Sequence, residues 1–239
     1  MDPVIAPELK LKLLSLIADN EGGWDAVAGN HDGQLLSFGC LQWNVGQGTL
    51  QPLLASIAPE VLSAVLGAPF AQACGSQASL EAFVRGQVLS GKTVKPEYVR
   101  ALKTLAQTTE CRNACSAHAD KYIFIAWQYC KRLGFTSERA LALCFDIAVQ
   151  NAGGGIRQDH LRAYASFGGK VGNDEWVNLK ALAHGVASCA LSRWRLDVLS
   201  RKLAIALGGT AKSGMLVHGR SFDLERDYGI RYHKAFQPA

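Results

Sequence analysis

The sequence predicts a mainly α-helical protein with one irregular, glycine-rich region near its N-terminus. Three observations lead there. From Thr49 onward, apolar residues recur at helical spacing for most of the chain. Residues 24–46 lack that spacing and hold six glycines or asparagines. No internal repeat, linker or low-complexity segment interrupts the 239 residues, so a single domain over 1–239 is expected.

The elements follow in order. In "PELKLKLLSLIADN", residues 7–20, Leu9, Leu13, Leu16 and Ile17 share one helical face. Pro7 suits the first turn of that helix, and Gly22–Gly23 suit its end. Residues 24–46 read as loops with a short hairpin. Further helices are expected near 48–57, 59–66, 78–91, 95–107, 109–133, 138–151, 157–166, 174–186 and 187–207. The tail 214–232 is mixed and charged.

Composition narrows the function classes. A hydrophobic fraction of 49% and a charged fraction of 19% describe a soluble globular chain. No apolar run reaches the roughly 18 residues that a membrane span requires. Glu8, Lys10, Lys12 and Asp19 are incompatible with a signal peptide at the start of this sequence. The expectation is therefore synthesis in the cytoplasm and delivery by some other route. The net charge of +5 favours an anionic polymer as partner. No Lys/Arg block or basic helix stripe accompanies it, so no nucleic-acid partner is expected. The seven cysteines are odd in number and mostly sit in apolar helical patterns, as buried small hydrophobes do.

The first candidate for chemistry is Glu21. A helix C-terminus carries partial negative charge, and lysine or arginine is the stabilising choice there. A glutamate breaks that rule, and the helix end would raise its pKa. A carboxyl group kept protonated near neutral pH can protonate a leaving oxygen. The alternative is a solvated glutamate in a turn. Glycoside hydrolysis needs a second carboxylate, and Asp32 in "GNHDG" supplies one if the chain folds back there. Asp32–Gly33 is also a strong hairpin signal, so both readings stand. Asp25 competes with Asp32, or closes the turn after Gly22–Gly23.

Other marks are less specific. Asp146 lies in "LALCFDIAVQNAGGG", an apolar helix in which a charge needs a partner. Arg220 or Arg226 is expected to provide it, with substrate binding from the floor of a cleft as the alternative. Asn151 precedes the helix-ending glycines and either offers its amide to a sugar or caps the turn. Cys111, Cys115 and His118 share a helical face but lack a fourth ligand, so no metal and no cofactor are expected. Cys40 is read as a packing residue. Trp24 and Trp43 flank the presumed site, and only Trp43 is assigned to a cleft, where its ring would stack on a sugar.

The helix-end glutamate, the glycine-rich excursion with its aspartate, and "SFGCLQW" together resemble the lysozyme-like superfamily, which includes goose-type lysozymes, lytic transglycosylases and family 46 chitosanases. The longer run "LLSFGCLQWNVGQGTLQPLL", with "FDIAVQNAGG" and "VHGRSFDLERDYG", is similar to muramidase domains of phage lysins and to type VI secretion effector domains. The resemblance implies a lysozyme-like fold, bilobed around a substrate groove. It implies Glu21 as general acid, Asp32 as second carboxylate, and Ser37, Gln42, Trp43 and Asn44 on the cleft wall. It further implies a peptidoglycan glycoside hydrolase acting on β-1,4 bonds in the periplasm or on the wall. Chitosanase, lytic transglycosylase and a non-catalytic wall-binding or phage structural protein are the alternatives. For a secreted effector it implies a periplasmic immunity protein occluding the groove, and the net charge suggests that such an inhibitor is acidic.

Overall fold

The computed structural model describes residues 5–151, 153–207, 216–217, 220–221 and 223–236. It is mainly helical, with short antiparallel strands near the N-terminus, and divides into two compact units: Leu14–Ala119, and Met1–Leu13 together with Asp120–Ala239. No described helix is long and apolar enough to cross a membrane.

The first helix, α1 (Pro7–Glu21), runs through the boundary between the units. Within Leu14–Ala119, it leads into β1 (Val27–Ala28), β2 (Ser37–Phe38) and β3 (Trp43–Asn44), an antiparallel sheet in sequence order. Five helices follow in this unit before the last: α2 (Leu50–Ala55), α3 (Pro59–Leu66), α4 (Ala68–Ala73), α5 (Gln77–Phe83) and α6 (Pro96–Ala106), then α7 (Thr109–His118). Between α5 and α6 lie a π turn (Val84–Val88) and the hairpin β4 (Leu89–Ser90)–β5 (Thr93–Val94). Proline opens α3 and α6 and is the second residue of α4, in a first turn that its fixed φ suits and where its missing N–H costs nothing. Leu14, Ile17, Phe38, Trp43, Leu53, Leu54, Leu102 and Leu105 form the core of the unit. Phe70, Phe83 and Tyr98 pack around one another with ring centroids 5.3–6.2 Å apart.

In the other unit, α8 (Asp120–Leu133) packs against α9 (Glu138–Gln150), and α10 (Gln158–Ser166) against α11 (Glu175–Ser188). A 3-10 turn (Ser192–Trp194) leads to α12 (Arg195–Leu207). The hairpin β6 (Leu216–Val217)–β7 (Arg220–Ser221) and α13 (Leu224–Tyr228) follow. Every residue from Glu138 to Ala148 is buried, which makes α9 the axis of this unit.

Several boundaries differ from the sequence expectation. The span 109–133 is two helices, because the chain turns at Ala119, a fully buried residue with helical backbone angles. The span 78–91 is helix only to Phe83, and its end is the π turn and the first strand of a hairpin. α4 was not anticipated at all. The single hairpin expected within 24–46 is a three-stranded sheet.

Candidate active site

The end of α1 is built by its glycines. Gly22 and Gly23 adopt φ of +99° and +111°, and the Gly23 N–H donates to the Ala18 carbonyl at 2.7 Å. That six-residue closure is the signature of a Schellman cap, which stops the helix at Glu21. No basic residue lies in its last turn. Glu21 thus sits at the negative pole of α1, as the sequence required. Its backbone is described, and its side chain lies outside the described residues.

Six residues after Glu21 the chain enters β1, and Asp32 lies in the connection from β1 to β2. The chain does fold back there, with Val27 opposite Phe38 and Ala28 opposite Ser37. Eight residues separate the two strands, so Asp32–Gly33 is no two-residue hairpin turn. The connection is pinned at both ends. An added Cβ at Gly29 would lie 2.2 Å from the Lys92 carbonyl oxygen, so only glycine permits this approach to the β4–β5 hairpin. The Asn30 N–H donates to the same oxygen at 2.8 Å. On the far side, Asn30 Oδ1 accepts the Leu35 N–H at 3.0 Å, and Leu35 itself is held at φ +67°.

Asp32 is exposed at the tip. One of its oxygens, Oδ1, accepts the Gln34 N–H at 3.0 Å, and no cation pairs with it among the described residues. Asp25, its rival, is committed elsewhere: its carboxylate pairs with Lys103 at 3.2 Å. The neighbouring Trp24 ring carries the Arg112 guanidinium 6.0 Å from its centre. Of the two aspartates, Asp32 is therefore the one whose charge is not already neutralised.

"SFGCLQW" is the β2–β3 hairpin, with Ser37 opposite Asn44 and Phe38 opposite Trp43. Its turn needs positive φ at Gly39 (+80°) and at Gln42 (+52°). Gln42 reaches back to the Gly39 carbonyl with its backbone N–H at 3.0 Å and its Nε2 at 3.2 Å. The Trp43 ring lies against Gly39, where a Cβ would come within 3.3 Å of it. This corrects the cleft assignment of Trp43. The ring is 1% exposed and offers no face for a sugar to stack on. The Asn44 amide is likewise spent on its own turn, accepting the Gln47 N–H at 2.8 Å and donating to Gln47 Oε1 at 3.1 Å. Ser37 is buried and Gln42 half-buried, so of the four motif residues only Gln42 presents appreciable surface.

Cys40 is fully buried and shares a thiol hydrogen bond with Cys115, which also hydrogen-bonds Cys111. The hydrogen bond with Cys115, together with burial, pushes the Cys111 thiol far up; at Cys115 the bond with Cys111 acts downward, but the Cys40 contact and burial outweigh it and the thiol is also raised, as inert structural cysteines require. His118 does not complete a ligand set with them. All seven cysteines are free thiols, and only Cys189 is not buried.

Two remaining candidates belong to the other unit. The Asn151 backbone ends α9, its N–H donating to Ile147 and its carbonyl accepting from Gly154, while its Nδ2 is buried without a protein partner. Asp146 is completely buried and paired, but not with the expected arginines. Its partners are Arg201, at 2.5 and 2.7 Å, and Lys202. Burial alone would raise its pKa, and the two cations outweigh burial and hold it below the ordinary aspartate range. Arg226 pairs instead with Asp227 at 2.7 Å, and the side chain of Arg220 lies outside the described residues.

Charge is unevenly divided. The unit Leu14–Ala119, which carries Glu21 and Asp32, has eight acidic and six basic residues, a net of −2. The other has twelve acidic and nineteen basic residues, a net of +7. The inference of a basic site from the whole-chain charge therefore fails for the unit that holds both carboxylates.

Neither a family model nor a curated protein matches the sequence. Solved structures do match the fold. A family 46 chitosanase from Gynuella sunshinyii, in complex with chitotetraose, aligns over 92% of this chain and 98% of its own, with a TM-score of 0.60 at 16% identity. The native chitosanase of Bacillus subtilis MY002 aligns over 83% of this chain and 86% of its own, with a TM-score of 0.58 at 19% identity. A further chitosanase complex covers 99% of both chains, with a TM-score of 0.54 at 22% identity. At these identities the likeness establishes the fold, the mainly helical lysozyme-like architecture of the chitosanases.

Proposed function

We propose that this chain is a glycoside hydrolase that cleaves β-1,4 bonds in an amino-sugar polymer of the bacterial cell wall, peptidoglycan. The observation that carries the reading is Glu21. A glutamate closes the first long helix of a lysozyme-like fold, at the negative helix pole, and a sheet with an unpaired aspartate on its first connection follows at once. A carboxyl group beside a helix C-terminus is held towards its protonated form, as a general acid must be. In this mechanism Glu21 protonates the glycosidic oxygen while Asp32 orients and deprotonates the attacking water. A carboxyl separation of about 6.5–9.5 Å would give inversion, and one near 5 Å retention. The resemblance of the longer run "LLSFGCLQWNVGQGTLQPLL", with "FDIAVQNAGG" and "VHGRSFDLERDYG", to muramidase domains supports peptidoglycan over other glycans.

Chitosan is the second reading. The solved structures described above are chitosanases, and so is a further match, a glutamate-to-alanine variant of the Bacillus subtilis enzyme complexed with six glucosamine units. The net −2 charge of the unit holding both carboxylates also suits a cationic polymer, which the whole-chain charge had argued against. Mass spectrometry of digests decides between the two. Muropeptides with reducing MurNAc ends support the first reading, glucosamine oligomers from chitosan alone support the second, and anhydro-muropeptides replace hydrolysis with transglycosylation. The Glu21→Gln variant should lose about 10²–10⁴-fold in turnover. A folded variant with full activity would remove Glu21 from the mechanism.

A further inference from the structure

Outside the carboxylates assigned above, one cluster of chemically reactive side chains lies entirely within the second unit. Asp159 and His160 are in the first turn of α10, and Cys189 caps the end of α11. The two helix ends meet because α11 is stripped to glycine where it crosses α10: a Cβ on Gly185 would lie 2.7 Å from the Tyr164 backbone nitrogen. That contact places Cys189, one helical turn further on, beside the start of α10. One imidazole nitrogen, the thiol sulfur and a carboxylate oxygen fall within 4.8 Å of one another. It is the only group of three such donors among the described residues.

Two features set the cluster apart from a chance surface grouping. His160 is 2% exposed, and its Nδ1 is buried with no hydrogen-bond partner. A buried polar nitrogen that nothing satisfies is destabilising, so its retention calls for a partner. Cys189 is the one cysteine of seven that is not buried, so it is accessible to a ligand from solvent. Imidazole, thiolate and carboxylate together are a borderline-soft set that suits zinc rather than magnesium or calcium.

We propose that Asp159, His160 and Cys189 form a three-ligand site for a divalent transition-metal ion of the zinc type, with water in the fourth position. An ion about 2.0–2.3 Å from each donor would hold the donors roughly 3.3–3.8 Å apart in tetrahedral geometry, so the cluster needs to contract by only about 1 Å. Binding deprotonates the Cys189 thiol and releases that proton to solvent. Asp159 also serves Arg157, whose Nε donates to Oδ1 at 3.0 Å and whose second nitrogen pairs with Oδ2. The ion therefore competes with this guanidinium for the carboxylate, which makes Arg157 a control element for affinity. The proposal does not depend on the glycosidase reading.

The test uses the purified full chain with Co²⁺ and Zn²⁺ as probes. Co²⁺ should bind at one equivalent and develop a thiolate-to-metal charge-transfer band that Zn²⁺ displaces. Cys189→Ser, at a partly exposed position that should not perturb folding, should abolish the band. Saturating Zn²⁺ should slow alkylation of Cys189 by iodoacetamide at least ten-fold. Arg157→Gln, which frees Asp159, should bind Co²⁺ several-fold more tightly. Absence of saturable uptake, a band that survives Cys189→Ser, alkylation indifferent to Zn²⁺, or weaker binding by Arg157→Gln in a protein of unchanged melting temperature would each overturn the site.

Discussion

Replacing Asp146 by asparagine keeps the shape of the α9 side chain and removes its charge. In the native protein that carboxylate is 0% exposed and contacts both Arg201 and Lys202, the latter also 0% exposed. Breaking a buried pair by neutralising one partner typically costs about 3–5 kcal/mol, and the charge removed here faces two cations. In a chain of this size each kcal/mol lowers the melting temperature by about 2–4 °C, so the variant should melt roughly 6–20 °C below the native protein at pH 7. The pH dependence provides an internal check. The folded pKa of Asp146 is depressed, so its contribution is complete above the unfolded value of about 3.9 and disappears as pH falls towards the folded value. Urea unfolding of both proteins at pH 7 and near pH 3 should therefore show a large gap at neutral pH that narrows in acid. A variant within about 1 kcal/mol of the native protein at pH 7, or a gap that does not change below pH 4, would refute the reasoning.

Gly29→Ala should destabilise by about 1–3 kcal/mol and lower turnover, because the added methyl meets the Lys92 carbonyl and displaces the connection that carries Asp32. Gly33→Ala, four residues on at φ +86° with open space around it, should cost only about 1 kcal/mol from backbone strain, measured by the same urea titrations. Asp32→Asn, at an exposed tip, should leave the melting temperature nearly unchanged while lowering turnover on peptidoglycan strongly if water is the nucleophile; a mild loss would point to transglycosylation. If the chain is a secreted effector, co-expression of the adjacent open reading frame should rescue cells in which the protein is sent to the periplasm. The rescuing protein need not be acidic, since the unit with Glu21 and Asp32 is itself net negative, and failure of rescue together with failure of the pair to bind would dismiss the immunity partner.

What short-range physics controls was legible in the sequence. Apolar spacing put a helix near 59–66, where α3 runs, and Gly22–Gly23 ended α1 at Glu21, because caps and helical faces are properties of a few neighbouring residues. The glycine-rich excursion and its fold-back at Asp32 were legible for the same reason. Tertiary structure decided what depends on residues far apart in the chain. Ala119 carries no helix-breaking signal, yet α7 ends and α8 begins on either side of this buried residue. Asp146 announced its need for a cation but not that the cations stand on α12, 55 and 56 residues away. Trp43 looked like a cleft aromatic because a period-two strand of two residues cannot reveal which face is buried; the close approach of its ring to Gly39 makes it core. The meeting of His160 with Cys189 was equally hidden, since a glycine within α11, not any metal-binding spacing, brings those two helix ends together.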